Sequence, residues 1–273
     1  MVQRPADVIN AILYGVINAI LAIPALFGYA AVIFSDGAYV DVAAPLAKAV
    51  VLSAAVHQCV FSWRSTLPFA IGQVQDAGLI FLSKMATDVA RTLDAKSAHD
   101  VAATALFGLG LCTAALGLCL VGVGRARMTW LVSYLPLPVL GGYLAFIGLF
   151  CIEAGLSLCI GVPLNGPRDW PQLWAPPWRL VLAAPGLLGG ILLSRVAKHD
   201  KNGTKLPLAM VAMPLAFYMV VYLTGYSLKD ARRDGWLFTN DSATDVADLR
   251  DVVALYDPGR VSWKALPQLF PIW

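Results

Sequence analysis

Residues Val8 to Phe34 read VINAILYGVINAILAIPALFGYAAVIF, without a single Asp, Glu, Lys or Arg. The run exceeds the roughly 20 apolar residues that cross a hydrocarbon core. A cleaved signal peptide fits it badly, because the apolar region of such a leader is only about 7 to 15 residues. Val101 to Val123 and Leu206 to Leu228 are also free of charge. Three such runs in one chain predict a polytopic membrane protein, built from helices because backbone groups in lipid must satisfy one another within each segment.

Composition agrees. The chain of 273 residues is 59% hydrophobic and 14% charged, against roughly 45–50% and 25% in soluble domains. That excludes a water-soluble globule. A net charge of +3 without a basic stripe excludes nucleic acid as a partner. Cys59, Cys112, Cys119, Cys151 and Cys159 all fall in apolar segments without metal-site spacing, and read as packing thiols.

Seven spans are expected, giving an all-α fold. Span 1 is Val8 to Phe34, span 2 Val42 to Phe61, span 3 Leu67 to Leu82 and span 4 Val101 to Val123. Span 5 runs from Pro136 to Val162, a short span 6 from Leu180 to Ser194, and span 7 from Leu206 to Leu228. Arg125 and Arg127 separate spans 4 and 5; Arg195, Lys198, Lys201 and Lys205 separate spans 6 and 7. The opposite side carries Asp88, Asp94, Asp100 and Asp169. By the positive-inside rule the basic loops and the N-terminus are cytoplasmic, and the segment after Leu228 is outside. Domain boundaries follow: 1–228 is transmembrane, 229–260 is a polar outer loop with one short helix around Asp245 to Tyr256, and 261–273 begins another approach to the membrane. A chain stopping there reads as incomplete.

The intramembrane polar inventory is short. Glu153, the only glutamate in the sequence, lies in span 5 and serves either as a proton-titrating group or as a structural hydrogen-bond partner. Span 3 contains Pro68, Phe69, Ala70, Ile71, Gly72, Gln73, Val74, Gln75 and Asp76, a helix breaker, a glycine and three polar side chains where a span should be most apolar. One reading is a half-helix starting inside the membrane, whose free N–H groups form a substrate site as in secondary transporters. The other is an ordinary tilted helix capped at the cytoplasmic face. Asp76 either takes up a proton when substrate binds or pairs with a cation such as Lys48. His57 reads as a hydrogen-bonded core histidine. No nucleophile elbow, phosphate loop or metal-ligand spacing occurs, so no enzyme activity and no cofactor are expected. The glycines of spans 4 and 5 read as close helix packing.

Several stretches together resemble the SulP family of sulfate permeases and related anion transporters. Ile23-Pro24 followed by Tyr29-Ala30 is similar to the proline-centred end of that family's first helix. Trp130 to Glu153, WLVSYLPLPVLGGYLAFIGLFCIE, resembles its fifth-helix entry. LPFAIGQVQDAGLIFLSKMA, Leu67 to Ala86, resembles the third-helix region of its microbial-eukaryote branch, and the closing VSWKALPQLFPIW the segment leading to the eighth helix. The resemblance implies one of two inverted seven-helix repeats, with helix 3 a short half-helix and an anion held between half-helices 3 and 10. It also implies alternating access, a plasma or vacuolar-type membrane, a cytoplasmic STAS domain, a second repeat beyond this chain and a possible homodimer as partners. Two departures stand out: Ala25 replaces the family's frequent Gln after Ile-Pro, and Gly72-Gln73 replaces the Gly-Pro that often opens helix 3.

Substrate-binding positions implied in this way are Ala25, Tyr29, Gly72, Gln73, Val74 and Gln75, or Phe69 if Pro68 takes the place of Gly72. Asp76 and Glu153 are the proton-coupling candidates. The function expected is the N-terminal half of a secondary active transporter of a sulfate-like anion. A nucleobase-permease-like transporter and a non-transporting membrane scaffold are the alternatives.

Overall fold

The computed structural model describes residues 5–66, 71–94, 96–164, 166–200, 204–237 and 249–267. It is all-helical among the described residues. The principal helices are α1 (Pro5–Ile33), α2 (Ala43–Arg64), α3 (Asp76–Thr92), α4 (Ala98–Arg125), α5 (Leu137–Ile160), α7 (Trp178–His199) and α8 (Lys205–Thr224). Short helices α6 (Pro171–Trp174), α9 (Leu228–Arg233) and α10 (Arg250–Leu255) lie in the connections. Six helical stretches among the described residues are long and apolar enough to cross a membrane. They present large apolar side chains outward, with Leu118, Leu137 and Leu223 each more than 70% exposed. Such surfaces suit contact with acyl chains. The protein is an integral, multi-pass membrane protein.

The third predicted span is where the structure departs most from expectation. Residues 71–75 are not helical, residues 67–70 lie outside the described set, and α3 begins at Asp76 and continues to Thr92. Its 17 residues rise about 26 Å, short of a full crossing. The helix extends ten residues beyond Leu82 because it is amphipathic. Leu79, Met85, Ala86, Val89 and Ala90 form the buried stripe, while Lys84 and Asp88 pair at 2.6 Å one turn apart on the other face.

Other boundaries move less. The sixth predicted span is not short: α7 has 22 residues and ends with Lys198 and His199 in its last turn, where positive charge complements the helix dipole. The seventh stops at Thr224 rather than Leu228, because Gly225 adopts a left-handed φ of 66° and caps α8. Ser227 then accepts from Lys229 N–H and starts α9, a helix the sequence did not suggest. Of the helix expected around 245–256, α10 occupies Arg250–Leu255 and residues 245–248 lie outside the described set.

The chain forms two compact units, residues 27–152 with 242–273 and residues 1–26 with 153–241. The first is organised around Tyr39, fully buried in a 3-10 turn (Gly37–Val42) that Asp36 caps. Its ring meets Phe34 edge-on with centroids 5.2 Å apart, and its hydroxyl donates to the Ala86 carbonyl at 2.6 Å. Small residues Ala102, Ala103 and Ala105 of α4 bring that helix against the turn and α3. Val261, Ala265 and Leu266 are buried in the same core, and Ser262 N–H donates to the Thr104 hydroxyl at 3.0 Å.

In the second unit α7 packs on α8, and Ile160, Leu164, Leu173 and Ala183 form a small core. Gly186 and Gly189 admit Cys159 and Met213 against the α7 backbone, closer than any Cβ there would allow.

Candidate functional site

The candidate site grows from the break before α3. Gln75 is extended (φ −105°, ψ 150°), and its carbonyl accepts from Gly78 N–H at 2.9 Å and Leu79 N–H at 3.0 Å. The amides of Asp76 and Ala77 precede these first helical bonds, so they carry the positive end of the helix without an intrahelical acceptor. Asp76 is exposed in this first turn, and its Oδ1 accepts from the Tyr29 hydroxyl on α1. A carboxylate thus sits where backbone partial charge is positive, fixed by a phenol 47 residues earlier in the chain.

The extended segment is held by α2. Gly72 is buried, its N–H donates to the Gln58 Oε1 at 2.9 Å, and Gln58 Nε2 reaches Ser62 at 3.5 Å. A Cβ on Gly72 would lie 2.6 Å from Gln58 N and from the carbonyl carbon of His57. Glycine is therefore required by the contact between two backbones. Val74 packs against the core of its unit, Gln73 is half-buried and Gln75 exposed. Gln58 was missed in the sequence reading, although an amide in an apolar span is the same kind of signal as its neighbour His57. The His57 side chain is exposed rather than in the core.

The remaining candidates fall elsewhere. Phe69 lies outside the described residues. Ala25 is half-buried one turn before Tyr29 on α1 and belongs to the other compact unit. Glu153 also belongs to that unit. Its Oε1 accepts from the Trp170 indole at 2.9 Å, and its carbonyl accepts from Ser157 at 2.8 Å. Among the described residues no three His, Cys, Asp or Glu side chains gather in a way that could hold a metal ion.

Comparison with known proteins adds three findings. The family model described as the sulfate permease family matches residues 8–272. Vacuolar basic amino acid transporter VSB1 of Saccharomyces cerevisiae (strain S288c) is 24% identical over 226 residues, covering 81% of this chain and 21% of that protein. The chain thus spans about a fifth of the length of that relative. No solved structure matches it.

Proposed function

Because the chain belongs to the sulfate permease family, we propose that it works as part of a secondary transporter by alternating access around the start of α3. The observation that carries this reading is the interruption before Asp76. An intramembrane helix start with free amides and a tethered carboxylate has little structural purpose in a packed bundle, and is costly unless it meets a polar solute. Glycine at 72 and the amide of Gln58 hold the segment extended, leaving Gln73, Gln75 and Asp76 to surround the solute.

Charge decides the substrate class. At 4 Å and an effective dielectric constant of 20, two unit charges interact by about 4 kcal/mol, whereas a helix N-terminus contributes at most about 2 kcal/mol. An ionised Asp76 thus outweighs the helix end and repels a sulfate-like dianion. We favour a solute bearing positive charge, such as a basic amino acid, whose amino or guanidinium group meets Asp76 while its carboxylate meets the free amides. The name of the yeast relative supports this choice. A sulfate-like anion entering with a proton on Asp76 is the second reading, favoured by those same amides.

The site's other wall is assigned to a second inverted repeat. Uptake of radiolabelled arginine and of sulfate into membrane vesicles tests both readings. Saturable arginine uptake that Asp76→Asn abolishes supports the first. Sulfate uptake that rises as pH falls, and that Asp76→Asn renders pH-independent, supports the second. Transport of either solute unaffected by Asp76→Asn refutes the placement of the site.

A further inference from the structure

Away from the α3 break, α7 and α8 line an open-sided groove of about 530 Å³. Gly189 and Leu192 of α7 and Ala216 and Val220 of α8 are among the residues that line it. At the end where α8 gives way to α9, Tyr226 and Trp236 line the mouth. Trp236 is folded back by a bond from its N–H to the Ala231 carbonyl at 2.9 Å, a turn made possible by Gly235 at φ 85°. Gly235 itself rests against Leu182 and Trp178 of α7. One end of the groove is therefore closed by the chain after α8.

Its length selects the occupant. The lining covers residues 185–192 of α7 and 213–224 of α8, about 10 and 16 Å of helix. That corresponds to one leaflet, half of a hydrocarbon core about 30 Å thick. A transmembrane helix would need twice this length and no closed end, whereas an acyl chain needs what is present. The closed end is also aromatic, as expected at the level of lipid headgroups.

Charge at that end is complementary to a phosphate. On α9, Arg233 pairs with Asp230 and with Asp234, at 3.2 Å each, and Asp234 accepts from Tyr226 as well. Both aspartates are thereby engaged. Lys229 and Arg232 are exposed, and neither side chain has an ion-pair partner among the described residues. Residues 229–234 thus carry a net charge of +1, with the exposed Lys229 and Arg232 on either side of Ala231, which lines the apolar groove together with the two amphipathic aromatics.

The geometry points to a specific phospholipid site, with an acyl chain in the α7–α8 groove and the phosphate held by Lys229 and Arg232. This inference is independent of which solute is transported.

Quenching of Trp236 fluorescence by a phosphatidylglycerol with brominated acyl chains, titrated into phosphatidylcholine vesicles containing the protein, tests it. Trp236→Phe identifies the component due to that residue. Quenching of Trp236 should saturate at a low mole fraction of brominated lipid. Lys229→Ala with Arg232→Ala should weaken it about thirtyfold, from the loss of two interfacial cations. Ala216→Phe, which puts a ring into the groove from its lining, should remove it. Should Ala216→Phe fail to fold, the exposed double variant decides alone, since neither cation supports the core. Quenching that rises in proportion to mole fraction and is equal in wild type and double variant would mean only bulk lipid contacts the groove, and overturns the proposal. No quenching of Trp236 at any lipid fraction would mean that protein covers the groove, and overturns it equally.

Discussion

Substituting Gly72 by alanine is the sharpest perturbation available at the candidate site. The new Cβ would stand 2.6 Å from two backbone atoms of α2, Gln58 N and His57 C, and 2.9 Å from the His57 Cβ. Ordinary contact starts near 3.4 Å, so the 71–75 segment and α2 must part by about 0.8 Å. Helix backbone does not yield as a flexible side chain does. Overpacking of this kind costs about 1–3 kcal/mol. The same displacement stretches the Gly72–Gln58 hydrogen bond from 2.9 Å to about 3.7 Å, beyond bonding range, at about 1 kcal/mol. The expected destabilisation is about 2–4 kcal/mol, or a drop of about 5–15 °C in the apparent melting temperature of the purified protein. Gly78→Ala is the matched control, since nothing lies within 4 Å of a Cβ built there. It should be neutral or stabilising by up to about 1 kcal/mol. Vesicle uptake should fall in the Gly72 variant and persist in the Gly78 variant. Equal melting temperatures for the two variants would refute the backbone contact as the reason for glycine at 72.

Three further outcomes are expected. Tyr29→Phe removes the hydrogen bond that orients Asp76, so KM for a cationic solute should rise severalfold with surface expression retained; unchanged kinetics would reduce Tyr29 to packing. Asn240 and Asn202, both in glycosylation sequons and both outside the described residues, should differ in microsomes, with Asn240 modified and Asn202 not; modification at Asn202 alone would reverse the orientation. The Tyr226 hydroxyl, and then Arg233, hold the Asp234 carboxyl below the usual carboxylate value near 3.8. A depressed folded-state value contributes stability above the unfolded value and loses it as pH falls through the folded one. Melting profiles of wild type and Asp234→Asn should therefore differ at neutral pH and converge below about pH 4; curves parallel throughout would show that this exposed network contributes nothing.

The sequence alone determined that the chain crosses a membrane, and where most of its helices lie. Charge-free runs mark α1, α4 and α8, and a run broken only by Glu153 marks α5, to within a few residues, because lipid requires each segment to satisfy its own backbone and so makes the decision local. The unusual character of the stretch around Asp76 was legible for the same reason, as polar residues where apolar ones belong. The end of α3 was not legible. Its buried stripe, Leu79 to Ala90, is interleaved with Lys84, Asp88 and Arg91, so averaged hydropathy ends the span early.

Tertiary structure alone decided the pairings. Tyr29 meets Asp76 across 47 residues, Gly72 meets Gln58 across 14, and Glu153 meets Trp170 across 17. None of these separations leaves a periodic trace, because each depends on how two segments of the chain approach rather than on the preference of either. The same holds for Gly72 itself. As a letter it counted among the implied substrate-binding positions, and only the position of α2 showed a second backbone lying against it.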